Sequence, residues 1–492
     1  MMKRRDFLKL GGAVGLLGMN AALIGKALTQ NSGFTPSARD PVAHVINRLT
    51  FGVTPELYEY VHQIGTEAFI EEQLSPSSID DALCDRLLEL FPLINRRAGE
   101  LAQEYRGEGG EVARDLLAST LVRAIYSKRQ LYERMVQFWS DHFSVDIRKE
   151  AVMIFLKVDD DRDVIRAKTF GNFRDLLGAD AHSPAMLFYL DNHESRYEHP
   201  NENYARELME LHTMGVNGGY TEDDVKEVAR AFTGWSITGP RERGELGAFR
   251  FRRNFHDGDE KVVMGNTLAG GRWEEDGEDV LDILAAHPAT ARFIAHKLVR
   301  RFVSDYPPDS LVTAAAQTFT DTRGDTRAVL RTIFASEEFW NAPPKFKRPM
   351  EYTVNILRAL AYPPESMGEI GRGVFEALEA MGHVPFTWHA PNGFPDVGAY
   401  WINNLLPRWN LAISAIQYGG EFRALGDLLE RNGVTDLDGV IRFMGRYLWG
   451  RDLNETEFET VRDFGTSASS EWQEQALAST ALLIAAPAFQ FA

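Results

Sequence analysis

Cysteine is almost absent: Cys84 is the single one in 492 residues. A lone thiol forms no internal disulfide. It cannot build a Cys-rich zinc site, a Cys-ligated iron–sulfur cluster or a C-x-x-C-H haem attachment. Cys84 falls in the apolar-periodic stretch 83–90 and reads as core filling. Excess positive charge is lacking too. Only 53 Lys and Arg stand against 71 Asp and Glu, a formal charge of −18. A surface of that sign repels nucleic-acid phosphates and anionic lipid, so both are poor partners. Beyond the N-terminus no long hydrophobic run appears, and no stable membrane span is expected in the mature chain. G-x-S-x-G, H-E-x-x-H, a Walker loop and a dinucleotide fingerprint are all missing from suitable contexts.

What the chain does carry begins with an address. Arg4-Arg5, then Phe7-Leu8-Lys9, then an apolar, Gly-rich run from Leu10 to Ile24 make the layout of a twin-arginine export signal. Gly25-Lys26-Ala27 offers small residues for cleavage. Residues 1–27 are therefore expected to be a signal peptide and 28–40 a linker, with a periplasmic or extracellular destination. Removing the signal leaves 48 basic and 70 acidic residues.

Apolar residues then recur at three and four almost everywhere. Helices are predicted over roughly 54–74, 79–92, 111–143, 201–214, 221–234, 276–303, 309–336, 347–361, 398–417 and 471–487. Thr221 and Asp224 make a capping-box pattern, and Pro288 suits a first helical turn. One stretch alternates instead. Phe249, Phe251 and Phe255 run up to His256-Asp257-Gly258, and Lys261-Val262-Val263-Met264 follows. That pattern predicts a hairpin turning at Asp257-Gly258. The expectation is a mainly α protein with one small β excursion near 248–264, a main lobe over 41–345 and a C-terminal lobe of the same domain over 346–492.

The densest polar motif is Asn203 to Gly215. At 100° per residue, Asn203, Glu207 and Glu210 fall within about 60° of one another with Arg206 at the edge, while His212 lies opposite. A single metal cannot then take Glu207, Glu210 and His212 together. Glu207 and Glu210 form a candidate carboxylate pair for acid–base work or a divalent metal. His142 faces inward with Leu131, Met135 and Phe138 and is a candidate base or ligand. Its neighbour Asp141 reads as a surface charge at a helix end. His256 and Asp257 are tentative metal ligands at the predicted turn. His296, Lys297 and Arg300 share a stripe that could bind an anion or, more commonly in so acidic a chain, pair with acidic helices. Trp388, His389 and Asn392 lie in a rigid aromatic loop that could contact a ligand, as Asn203 and Arg206 could on their helix.

The assembled strings resemble a known bacterial family. Asn47-Arg48-Leu49-Thr50-Phe51-Gly52, Phe138-Trp139 with His142-Phe143, Leu190-Asp191-Asn192, Asn201-Glu202-Asn203 into Ala205-Arg206-Glu207, Thr233-Gly234-Trp235 and His256-Asp257 are similar to the DUF1800 family. The resemblance implies a large, mainly helical exported protein. It also implies a companion, a sulfatase-like exported protein of the DUF1501 type. The leading expectation is a metal-dependent enzyme, a hydrolase before an oxidoreductase, acting on an envelope or extracellular polymer. Glu207, Glu210 and His142 would be its catalytic groups, and Glu207, Glu210, His142, His256 and Asp257 its metal ligands. The alternative is a non-catalytic binding or assembly partner of that companion.

Overall fold

Side-chain caps set several of the helix boundaries. The computed structural model describes residues 40–492 except 240, 241, 243, 365, 366 and 419–422; the predicted signal and nearly all of the linker lie outside the described residues. Thr221 Oγ1 accepts the Asp224 N–H while Asp224 accepts the Thr221 N–H, so the expected capping box starts Glu222–Ala231. Asn454 and Glu457 do the same for Glu455–Ala468.

Several long predicted helices are divided, each by a local cause. Gly65 at φ +84° separates Pro55–Ile64 from Thr66–Gln73. The Asp81 carboxylate accepts from Ser127 Oγ and the Lys128 N–H, and the chain turns there between Gly109–Tyr126 and Gln130–His142. His287 caps a new helix at Pro288, which splits Glu275–Ala286 from Pro288–Phe302. The Asn203 motif changes pitch as well: Glu202–Glu207 is α-helical, but Leu208–Thr213 is a π-helix.

The chain is mainly α with a small β excursion, made of two antiparallel pairs rather than one. Strand β1 (Trp235–Ile237) pairs with β2 (Phe249–Phe251), and β3 (Lys261–Val263) pairs with β4 (Asn266–Leu268). The hairpin turn therefore lies at Met264-Gly265, both with positive φ, and not at Asp257-Gly258. Asp257 is held elsewhere, because its carboxylate receives Arg230 and the Asp259 N–H.

One hydrophobic cluster runs from Val42 to Phe489, across the expected lobe boundary, and Cys84 is buried in it. The C-terminus returns to that boundary: Lys345 and Ala492 exchange two backbone hydrogen bonds, and the Lys347 N–H donates to Gln490. No helix among the described residues is long and apolar enough to cross a membrane.

Candidate functional site

A pocket of about 330 Å³ opens where five separated segments meet, one of them contributing Leu211 alone. Helix Gln130–His142 ends in it with Phe138, Asp141 and His142. Helix Pro288–Phe302 lines it with Phe293, His296, Lys297, Arg300 and Arg301. Arg348 enters just before Pro349–Ala359, and residues 392–397 form the far wall. Helical spacing brings the second group together: Phe293, Lys297 and Arg301 follow one another at four residues, with Arg300 one turn from Lys297. Both arginines also occupy the last turn, where the helix dipole favours cations.

The far wall depends on one glycine. Gly393 has φ +72°, and a Cβ there would lie 1.8 Å from the Asp141 carbonyl oxygen. Only glycine allows that approach. Phe394 then packs against His383 and Trp388, with ring centroids 4.3 and 5.1 Å away.

Behind the pocket the charges balance. Arg134, Arg301 and Arg348 converge on Glu351 at 3.2, 2.8 and 3.2 Å. Arg348 also meets Asp141 at 2.6 Å, Arg301 meets Asp396 at 3.5 Å, and Lys345 bridges Asp305 and Asp396. Burial would push the Glu351 carboxyl up, but the three guanidiniums outweigh it and hold Glu351 well below the usual range. Four cations thus meet four carboxylates.

Lys297 and Arg300 stand outside this balance. Among the described residues neither has a carboxylate within ion-pair distance: Lys297 Nζ donates to His142 Nδ1 at 2.8 Å, and Arg300 donates to His296 Nε2 at 2.9 Å. Buried nitrogens on three lining arginines, Arg300 Nε, Arg301 Nε and Arg348 Nη2, find no acceptor. Buried donors are ordinarily satisfied, so this lining is short of acceptors.

Protonation follows from the same contacts. His142 Nε2 lies 3.0 Å from the His212 carbonyl, which can only accept. The Nε2 atom therefore carries the proton, and Nδ1 presents its lone pair to Lys297. Burial, with Lys297 adding to it, holds His142 well below the usual histidine range, so it is neutral. Burial also lowers the Lys297 amine to about 8, against the upward pull of Asp141 and Asp396. Asp141 is raised by burial in spite of Arg348. An amine and a carboxyl on one pocket wall are thus both drawn toward neutrality.

A family model described as a protein of unknown function, DUF1800, matches residues 44–491. The chain belongs to the DUF1800 family. No curated protein and no solved structure matches it.

The residues expected from the sequence of this DUF1800 chain occupy three different places. His142 and Asn392 line the pocket. Trp388 lies beside it, its indole N–H donating to Asn392 Oδ1 at 2.9 Å, and the His389 carbonyl accepts from Tyr189. Glu207 and Glu210 are partly exposed on the Asn203 helix and do not line the pocket. Burial and Glu210 raise the Glu207 carboxyl; Arg206 lies 3.8 Å from Glu210 but is bound bidentately by Glu222. Asn203 is exposed. His256 is buried, with Nδ1 on the Thr233 carbonyl and Nε2 3.3 Å from Asp276, while Asp257 holds Arg230.

Among the described residues no three His, Cys, Asp or Glu side chains group as metal ligands. The five expected ligands do not form one donor set, since His142 offers its free nitrogen to an amine and Asp257 is bound to a guanidinium. Asp141 corrects the sequence reading: it is mostly buried, ion-paired to Arg348 and part of the pocket wall. Arg348 and Asp396 carried no local signal. The His296, Lys297 and Arg300 stripe did, and it faces the pocket instead of acidic helices.

Proposed function

We propose that this is an exported enzyme whose pocket holds an anionic group of an envelope or extracellular substrate, with Lys297 and Asp141 doing acid–base work on it. The observation that carries this reading is the uncompensated pair Lys297 and Arg300, in a pocket whose other charges are matched. In so acidic a protein, unpaired cations at one concave site attract an oxyanion and orient it. Neutral His142 receives a Lys297 N–H, which leaves the rest of the amine facing the cavity. Asp141, held by Arg348 at 2.6 Å, brings a carboxyl group to the same wall, and Phe138 and Phe293 limit water.

Sulfate, phosphate and small carboxylates should each raise the melting temperature of the folded protein, and the rise should vanish in Arg300→Gln. Equal shifts in the wild type and the variant would refute the anion site. Export by the twin-arginine route is tested separately. Replacing Arg4 and Arg5 with Lys should leave folded precursor in the cytoplasm, and normal export of the double variant would end that assignment.

One observation favours docking to a sulfatase-like exported companion as a second reading. Tyr306, Tyr400, Ile402 and Leu406 are exposed at 86, 52, 53 and 65 %, on segments joined where the Gly398 N–H donates to Asp305. Co-purification of the two exported proteins, lost in Ile402→Asp/Leu406→Asp, tests it; unchanged co-purification removes this face from the reading.

A further inference from the structure

We propose that Lys297 is a covalent catalyst whose Nζ adds to the carbonyl carbon of an oxo acid bound in the pocket, forming an imine. The proposal rests on the anion-site reading and deepens it by naming a substrate class: a carbonyl compound with a carboxylate on the neighbouring carbon.

The buried and part-buried lysines differ in what they meet. Lys157 closes an ion pair with Asp160 at 2.6 Å, Lys261 with Asp276 at 2.8 Å, and Lys345 with Asp305. A lysine held by a carboxylate stays an ammonium and cannot attack. Lys297 instead donates to the His142 imidazole, with no carboxylate at ion-pair distance among the described residues, and it lines the cavity.

His142 also fixes direction. The His212 carbonyl holds the Nε2–H tautomer, so Nδ1 is always an acceptor for one Lys297 N–H. The amine lone pair is then kept away from the imidazole and is free for the cavity. Arg300 stands one helical turn along, where residues three apart are neighbours. A carboxylate bonded to Arg300 would place the adjoining carbonyl carbon beside the amine. Phe138 and Phe293 supply the apolar walls that protect an imine from hydrolysis.

Atoms balance without an outside redox partner. The Nζ lone pair forms the C–N bond while the carbonyl oxygen takes a proton, giving a carbinolamine. Loss of that oxygen as water, with the second nitrogen proton, leaves C=N. Asp141 lines the same pocket, so its carboxyl group can carry protons from nitrogen to oxygen. The resulting imine withdraws electrons from the adjoining carbon, the usual prelude to breaking a bond there.

The test treats the intact mature protein with pyruvate or with acetaldehyde, each with cyanoborohydride, and reads intact mass and peptide maps. Pyruvate should add one equivalent at Lys297, about tenfold or more faster than at surface lysines such as Lys226. Lys297→Arg should abolish this fast adduct. Arg300→Gln should slow pyruvate but not acetaldehyde, a contrast internal to one variant and independent of how stable it is. Adducts spread evenly over the lysines would overturn the imine. They would leave the anion site standing if sulfate still protected the wild type and not Arg300→Gln. Equal slowing of both probes by Arg300→Gln would overturn the oxo-acid assignment.

Discussion

Two inward histidines of this protein each lie beside a lysine, and their surroundings differ in one respect. His256 and Lys261 share the buried Asp276 carboxylate at 3.3 and 2.8 Å. Lys261 also donates to the Asp257 and Asp259 carbonyls, so that cluster is closed by its own chain. His142 and Lys297 touch each other directly, with no carboxylate at ion-pair distance among the described residues and a cavity alongside. A buried ion pair is an internal solution to desolvation. An unpaired cation beside a pocket leaves the solution to a ligand.

Asp276→Asn should have the largest effect. It leaves Lys261 buried without its counter-charge, and loss of one partner of a buried pair costs about 3–5 kcal/mol. Denaturant unfolding should show that loss, while anion protection at the Lys297 pocket persists in the folded fraction. A change under about 1 kcal/mol would mean that the Asp276 site is not closed by charge.

Gly393→Ala should come next, at about 1–3 kcal/mol for the left-handed backbone plus the clash with Asp141. The far wall must then move, so anion protection should weaken as well. Full anion protection in a destabilised Ala variant would separate the loop from the site.

Lys297→Met should go the other way. The Lys297 pKa in the folded protein is lowered to about 8, below its unfolded value. The unfolded chain therefore holds more protons between about pH 8 and 10, and this group's penalty on stability falls as pH rises through that window. The Met variant should be more stable than wild type by about 1–3 kcal/mol below pH 8, and the gain should fade toward pH 10. Bound anion should also protect the wild type best below pH 8, where the amine is charged. A pH-independent difference would mean that Lys297 is not desolvated.

The smallest effect belongs to the carboxylate pair. Glu207→Gln with Glu210→Gln should change stability by no more than about 0.5 kcal/mol, since both groups are partly exposed. Metal found by elemental analysis in the wild type and lost from this double variant would return the metal reading to that helix.

Some of these places were legible locally. The helical class follows from three–four periodicity, and the Thr221–Asp224 box and the Pro288 start follow from short-range chemistry. The breaks at Ser127 and within 201–214 were not, because a distant Asp81 and a π-helical turn produce them. The β turn was misplaced for a similar reason. Asp257-Gly258 is good turn chemistry, but Arg230, 27 residues back, claims the Asp257 carboxylate. Of the candidate site, the His296–Lys297–Arg300 stripe and inward His142 were visible on their own helices. Their meeting was not, since it joins residues 155 apart.

Near neighbours and composition account for several properties of the chain. These are a mainly helical chain, an acidic balance, a single cysteine that can form no internal disulfide, and membership of a family. Only the tertiary structure decided which charges go unmatched. Arg348 reaches Asp141 across 207 positions, and Gly393 must pass against the same Asp141 backbone. The physical reason is that burial and charge compensation are properties of packed neighbours. Helical periodicity tells which face a lysine occupies, but not whether a carboxylate waits on the other side.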